Sequence, residues 1–172
     1  SHGPDDANIV AMRQVLAEAL YADGKPDKAV AEGRAILELT AHRDDAKPFD
    51  TAVARFALAK FLLAVGEIEE ARALLKESMS LFEKDTGPGS RQTLDVIHRL
   101  AITYIVTDEL GEAERLVDDG LKRFSAADDV RTGDVAVALI GLRAKVYRKT
   151  GRTTEAEEAE AFVRQADGGK RR

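Results

Sequence analysis

The chain has 172 residues, 44% of them apolar and 33% charged, with a net charge of −5 and an isoelectric point near 5.3. One domain is the default at that length, and the acidic balance speaks against a general nucleic-acid binder, which carries a basic footprint. With no cysteine there is neither a disulfide nor a thiolate metal site. No apolar run approaches the ~18 residues of a membrane helix, so a cytoplasmic protein without membrane contact is expected.

Ser1-His2-Gly3 reads as a vector remnant within a disordered start at 1–5, which points to a longer parent protein. The first helix is expected from about Asp6 to Ala22, with Met12, Leu16, Ala17 and Leu20 facing inward. Asp23-Gly24 breaks it, and Pro26 suits the first turn of a second helix, where its missing N–H costs nothing. That helix runs to about Thr40, followed by a polar linker from Ala41 to Lys47. Pro48 opens the third helix, one face of which holds Arg55, Leu58, Ala59 and Leu62. Gly66 is a C-cap, and Ile68, Ala71, Leu75 and Ser78 mark one face of the fourth helix, to about Lys84.

Asp85-Thr86-Gly87-Pro88-Gly89 is the densest cluster of turn residues, with Ser90 as N-cap of the fifth helix. The fifth helix reaches about Val106, and the sixth spans about Glu109 to Phe124. Ser125 to Asp129 reads as linker, and the seventh helix spans about Arg131 to Lys149. Gly151 stops it. Thr154 and Glu157 have the spacing of a capping box for an eighth helix, with Phe162 and Val163 inward, ending near Gln165. Residues 168–172 read as a disordered tail.

The pattern repeats. Ala29, Ala71, Ala113 and Ala156 recur at intervals of 42, 42 and 43 residues, and Ala17, Ala59, Ala101 and Ala144 each lie twelve positions earlier. Leu20, Leu62, Tyr104 and Tyr147 follow the second set by three. Self-similarity at this period signals a solenoid, with repeats at about 6–47, 48–89, 90–130 and 131–167 in one domain spanning 6–167.

These residues resemble the tetratricopeptide repeat family: a large residue, leucine and a small residue, an aromatic, a glycine, then small residues on the second helix. The 42-residue period is longer than the usual 34 and is similar to the kinesin-light-chain type. Its linkers often read Gly-Pro-x-x-x-x-Thr-Leu, as do Gly87 to Leu94 here. Asp108 stands where glycine is usual, with Gly111 displaced. In the fourth repeat Arg143 replaces leucine and Glu160 takes an apolar position, so this repeat reads as a cap. The resemblance implies an all-α, right-handed superhelical solenoid of four helix-turn-helix repeats, about eight antiparallel helices.

In the family, the first helix of each pair lines a concave face on which partners lie as extended peptides or helices. Carried over by position, that face holds Gln14, Glu18 and Tyr21 in the first repeat and Phe56, Lys60 and Leu63 in the second. The third contributes His98, Ile102 and Ile105, and the fourth Gly141, Lys145 and Arg148. Basic and apolar residues together imply an acidic, partly apolar peptide or amphipathic helix. Chaperone-binding members clamp a carboxylate with lysines and asparagines, but the only asparagine here, Asn8, is outside this set.

No catalytic constellation assembles. His42-Arg43-Asp44 opens like a kinase catalytic loop, yet Phe49 stands where the metal-binding asparagine belongs and no glycine-rich loop exists. Three histidines that share no helical face do not make a metal site. The reading is therefore a non-catalytic protein-interaction module without cofactor or metal, a monomer or weak homodimer. The alternative is a regulatory or sensor segment of a larger bacterial signalling ATPase or transcriptional regulator, acting on its own parent chain or by self-assembly.

Overall fold

The computed structural model describes residues 4–127 and 133–169. Among the described residues there are eight α-helices and no strand: α1 (Pro4–Ala22), α2 (Pro26–His42), α3 (Pro48–Val65), α4 (Ile68–Asp85), α5 (Arg91–Val106), α6 (Leu110–Ala127), α7 (Gly133–Lys149) and α8 (Thr153–Gly169). The chain divides into two compact units, Ser1–Asp85 with α1 to α4 and Thr86–Arg172 with α5 to α8. The vector remnant expected at 1–3, the end of the tail at 170–172 and the helix start expected at Arg131 lie outside the described residues.

The turn inside each helix pair is the same device used four times. Gly24, Gly66, Asp108 and Gly151 all have positive φ, at 70°, 86°, 62° and 77°. In each, the next N–H reaches back to close the helix end: Lys25 to Leu20, Glu67 to Leu62, Glu109 to Tyr104 and Arg152 to Tyr147, at 2.8–3.0 Å. This left-handed cap suits glycine, which has no Cβ to clash. Asp108 adopts it nonetheless, so the turn stays in register and Gly111 plays no part in the cap. Asp108→Gly is expected to stabilise the chain by about 0.5 kcal/mol, or about 1–2 °C in calorimetry. The gain is cut by loss of the Lys149–Asp108 ion pair at 2.9 Å; a lower midpoint would mean that the pair outweighs the strain.

In the first unit, Ala17, Ala29, Ala59 and Ala71 are all buried, which lets paired helices approach closely. The core gathers Val10, Ala17, Ala29, Ile36, Ala54 and Phe61. A Cβ on Gly33 of α2 would lie 3.0 Å from Leu58 Cδ1 and 3.3 Å from Phe61 Cδ2, so the next pair's first helix packs directly on it. The buried Ser78 hydroxyl donates to the Ala52 carbonyl at 2.8 Å. One expectation fails here. Met12 and Leu16 are 72% and 47% exposed, because α1 is apolar on two sides and packs on α2 with the side that carries Val10 and Ala17. Arg55, on the same helix as Leu58, Ala59 and Leu62, pairs with Glu77 of α4 at 3.0 Å.

The second unit opens with the expected linker. Ser90 Oγ accepts the Thr93 N–H at 3.3 Å, as an N-cap should. Buried Thr93 donates its hydroxyl to the Gly87 carbonyl at 2.9 Å, and Leu94 is fully buried. That is a physical reason for threonine and leucine at this spacing from Gly87. A Cβ on Gly89 would sit 2.5 Å from Ala127 Cβ and 3.0 Å from the Arg123 carbonyl, so only glycine fits without movement. Ala101, Ala113, Ala144 and Ala156 are buried as expected.

Some boundaries shift in this unit. Helix α6 continues through Ala127, taking up part of the expected linker. Helix α8 begins at Thr153, with the Ala156 N–H bonded to the Arg152 carbonyl at 3.0 Å, so Thr154 lies inside the first turn and is not the cap. The glycine cap at 151 fixes this, since it places Arg152 at the helix entry. Phe162 is 51% exposed instead of inward, and Val163 is half-buried.

Candidate functional site

The expected interaction residues all sit on the first helix of a pair, one, three or four positions from the buried alanines. In the first unit Gln14, Phe56 and Leu63 are half-buried, while Glu18 and Tyr21 are exposed. Glu18, Tyr21 and Lys60 come together: the Lys60 ammonium contacts both Glu18 carboxylate oxygens. It also lies 5.0 Å from the Tyr21 ring centre and 4.8 Å from that of Phe61, within cation–π range. The Tyr21 and Phe61 rings pack tilted at 5.5 Å. Lys60 is thus held down, its side chain 16% exposed against 54% for Glu18.

In the second unit His98, Ile102 and Ile105 on α5 are half-buried, and Lys145 and Arg148 on α7 are exposed. Burial pushes the His98 pKa down from 6.5 to about 4, with the charges of Arg99 and Lys145 adding to the effect. Its imidazole is therefore a neutral donor–acceptor at neutral pH. Arg148 grips the Glu160 carboxylate of α8 through Nε at 3.0 Å and Nη2 at 2.9 Å. A cleft of about 530 Å³ opens beside them, lined by Ile105, Gly141, Lys145 and Arg148 together with Val163 and Arg164 of α8.

The expected set brings Glu18, Tyr21 and Lys60 together and omits the further residues that they and Arg148 contact. Phe61, the platform under Lys60, was outside the expected set because its register position is a packing one. Glu160 was visible only as an acid at an apolar position; the arginine that satisfies it lies on the neighbouring helix. Two of the three cations in the set, Lys60 and Arg148, are neutralised by acids of the chain itself. Among the described residues no three His, Asp or Glu gather as metal ligands, and no helix is long and apolar enough to cross a membrane.

Residues 50–126 match the tetratricopeptide repeat family model. No curated protein sequence matches the chain. Among solved structures it is similar to kinesin light chain TPR-like repeats of Podosopora anserina, at 22% identity and a TM-score of 0.76 over 94% of this chain and 76% of that one. BtubC from P. vanneervenii aligns over 99% of this chain and 68% of its own, at 16% identity and a TM-score of 0.86. A Rap protein complexed with Competence and Sporulation Factor aligns over 93% of this chain at 14% identity and a TM-score of 0.60; this chain spans 52% of it. At such identities the likeness is one of fold.

Proposed function

We propose that the chain, whose residues 50–126 match the tetratricopeptide repeat model and whose fold is similar to kinesin light chain TPR-like repeats, is a non-catalytic protein-interaction module built of such repeats. It takes a peptide or helix of a partner protein along the face of the first helices. The observation that carries this reading is the contrast on those helices. Ala17, Ala59, Ala101 and Ala144 are buried, while one to four positions away Phe56, Leu63, Ile102 and Ile105 keep part of their apolar surface open. Such residues are the anchors that carry affinity in an interface, with rim charges setting orientation and rate.

Charge pairing refines the partner. With Lys60 and Arg148 engaged internally, exposed Lys145 is the cation of the set best placed to meet an acidic group. The partner is then mainly apolar, with acidic flanks. Lys60→Glu is a poor probe, because it would set two carboxylates against each other over the Tyr21 and Phe61 rings. Phe56→Ala and Ile102→Ala are better. Peptides selected from a random displayed library against this chain are expected to be apolar with acidic flanks. Each variant is expected to bind them about tenfold more weakly or worse while retaining its helical circular dichroism. A library that yields no binder, or binders indifferent to both changes, would remove the assignment.

A further inference from the structure

Two sets of register positions are buried in the inner repeats and open at the two ends of the chain. Met12 stands where Ala54, Val96 and Leu139 stand in the later pairs, and Leu16 where Leu58 and Leu100 stand; all five are buried. In α1 both are exposed. At the other edge Glu160 stands where Gly33, Leu75 and Val117 are buried, and Val163 where Ile36, Ser78 and Gly120 are buried. Two glycines, one in each unit, reveal what covers such a position within a unit. A Cβ on Gly33 would meet Leu58 Cδ1 at 3.0 Å, and one on Gly120 would meet Leu139 Cδ1 at 3.0 Å. Both are side chains of the following pair's first helix. Beyond α7 and α8, the 530 Å³ cleft with Ala144, Glu160 and Val163 in its lining occupies that place.

We propose that a second copy of this chain fills the cleft: Met12 and Leu16 on α1 of one copy pack against Val163 and Ala144 of another, continuing the repeat head to tail. Charge supports the second copy. Within the first unit Glu18 meets Lys60 one register on. At the junction the corresponding pair is Lys145 of one copy with Glu18 of the next, opposite in sign again. Within the second unit Glu114 meets Arg152 of the following pair. The corresponding junction pair is Glu157 with Lys25, again opposite.

This contact depends on the repeat register and goes beyond peptide recognition: it sets α1 of one copy against α7 and α8 of another, sharing Lys145 with the peptide face but not Phe56 or Ile102. It is heterologous, one surface meeting a different one, so copies add in open chains or rings instead of stopping at a two-fold dimer.

Sedimentation velocity over a concentration series tests it. The wild-type mass is expected to rise beyond the dimer, and Met12→Glu is expected to lower the association constant by about tenfold or more. Met12 is exposed, so the variant should fold, and circular dichroism checks this. Lys25→Glu and Glu157→Lys provide an independent arm. Each alone places like charges at the junction, whereas an equimolar mixture restores opposite charges at both junction types and should associate several-fold more strongly than either. A wild-type chain that stays monomeric to about 1 mM would overturn the proposal and leave these faces to another occupant. Association that stops at a dimer, or is indifferent to Met12→Glu, would overturn it as well. Peptide affinities measured at dilution, where the chain is monomeric, are independent of this outcome.

Discussion

Replacing Phe61 by alanine is expected to destabilise the chain by about 3–5 kcal/mol, the range for a large aromatic removed from a core. The ring is 1% exposed. Its small neighbours Ala17, Ala29, Ala54 and Gly33 cannot swing into the space it leaves, whereas Ile36 and the leucines packed on the cluster can relax only in part. A cavity that cannot collapse loses its dispersion contacts outright. Phe61 also carries Tyr21 at 5.5 Å and the Lys60 ammonium at 4.8 Å, so the exposed face above loses its floor. Domains of this kind are stable by only about 5–15 kcal/mol in total. Urea unfolding measures the loss, and hydrogen exchange should show protection falling first in α1 to α4. A cost below about 1 kcal/mol would contradict this description of the core.

The second large effect is a loss of stability in mild acid that traces to one imidazole. Burial, seconded by Arg99 and Lys145, holds the His98 pKa at about 4 in the folded chain, against 6.5 for an open one. Between these values the unfolded chain binds a proton that the folded chain refuses. The stabilising contribution is therefore complete above pH 6.5 and is lost as pH falls toward about 4. Allowing for the part of the ring that faces water, the loss is on the order of 2 kcal/mol. His98→Gln removes the titration and keeps hydrogen-bonding capacity. Carboxylate pairs such as Asp134 with Arg91, which holds the Asp134 pKa below the usual range, contribute equally in both proteins. The wild type should thus lose about 2 kcal/mol more than His98→Gln between pH 7 and pH 4; parallel curves would show that His98 is solvated in the folded state.

The repeat was legible because it rests on residues that cannot be exchanged freely. Alanines at 42- and 43-residue intervals mark close helix approach, and glycines at positive φ mark helix ends, so both leave a sequence signal. Ser90 was legible as a cap for the same reason. Asp108 was not, because an aspartate in the left-handed region looks like any other turn residue. The sides of α1 were not legible either: apolar residues occur on both, and only the packing of α2 and α3 decides that Val10 and Ala17 are covered and Met12 and Leu16 are not.

The candidate site divides along the same line. Glu18, Tyr21 and Lys60, grouped by position in the resemblance, do meet in the first unit, since a 42-residue repeat brings like positions of its two pairs together. Period carries no information on what a long side chain does at its end. Lys60 therefore read as a cation facing a partner, whereas it lies against two rings and a carboxylate of its own unit. Arg148 and Glu160 repeat the lesson twelve residues apart, from facing helices.

The claim that the first helices form the binding face is tested most directly by nuclear magnetic resonance on the labelled chain, with a library-selected peptide titrated in. Shifts concentrated on Phe56, Leu63, Ile102 and Ile105, with the Tyr21 and Lys145 neighbourhoods following, are the predicted result. Shifts confined to the Met12 and Phe162 faces, with the first-helix residues silent, would contradict it and move the binding surface to the edges of the repeat array.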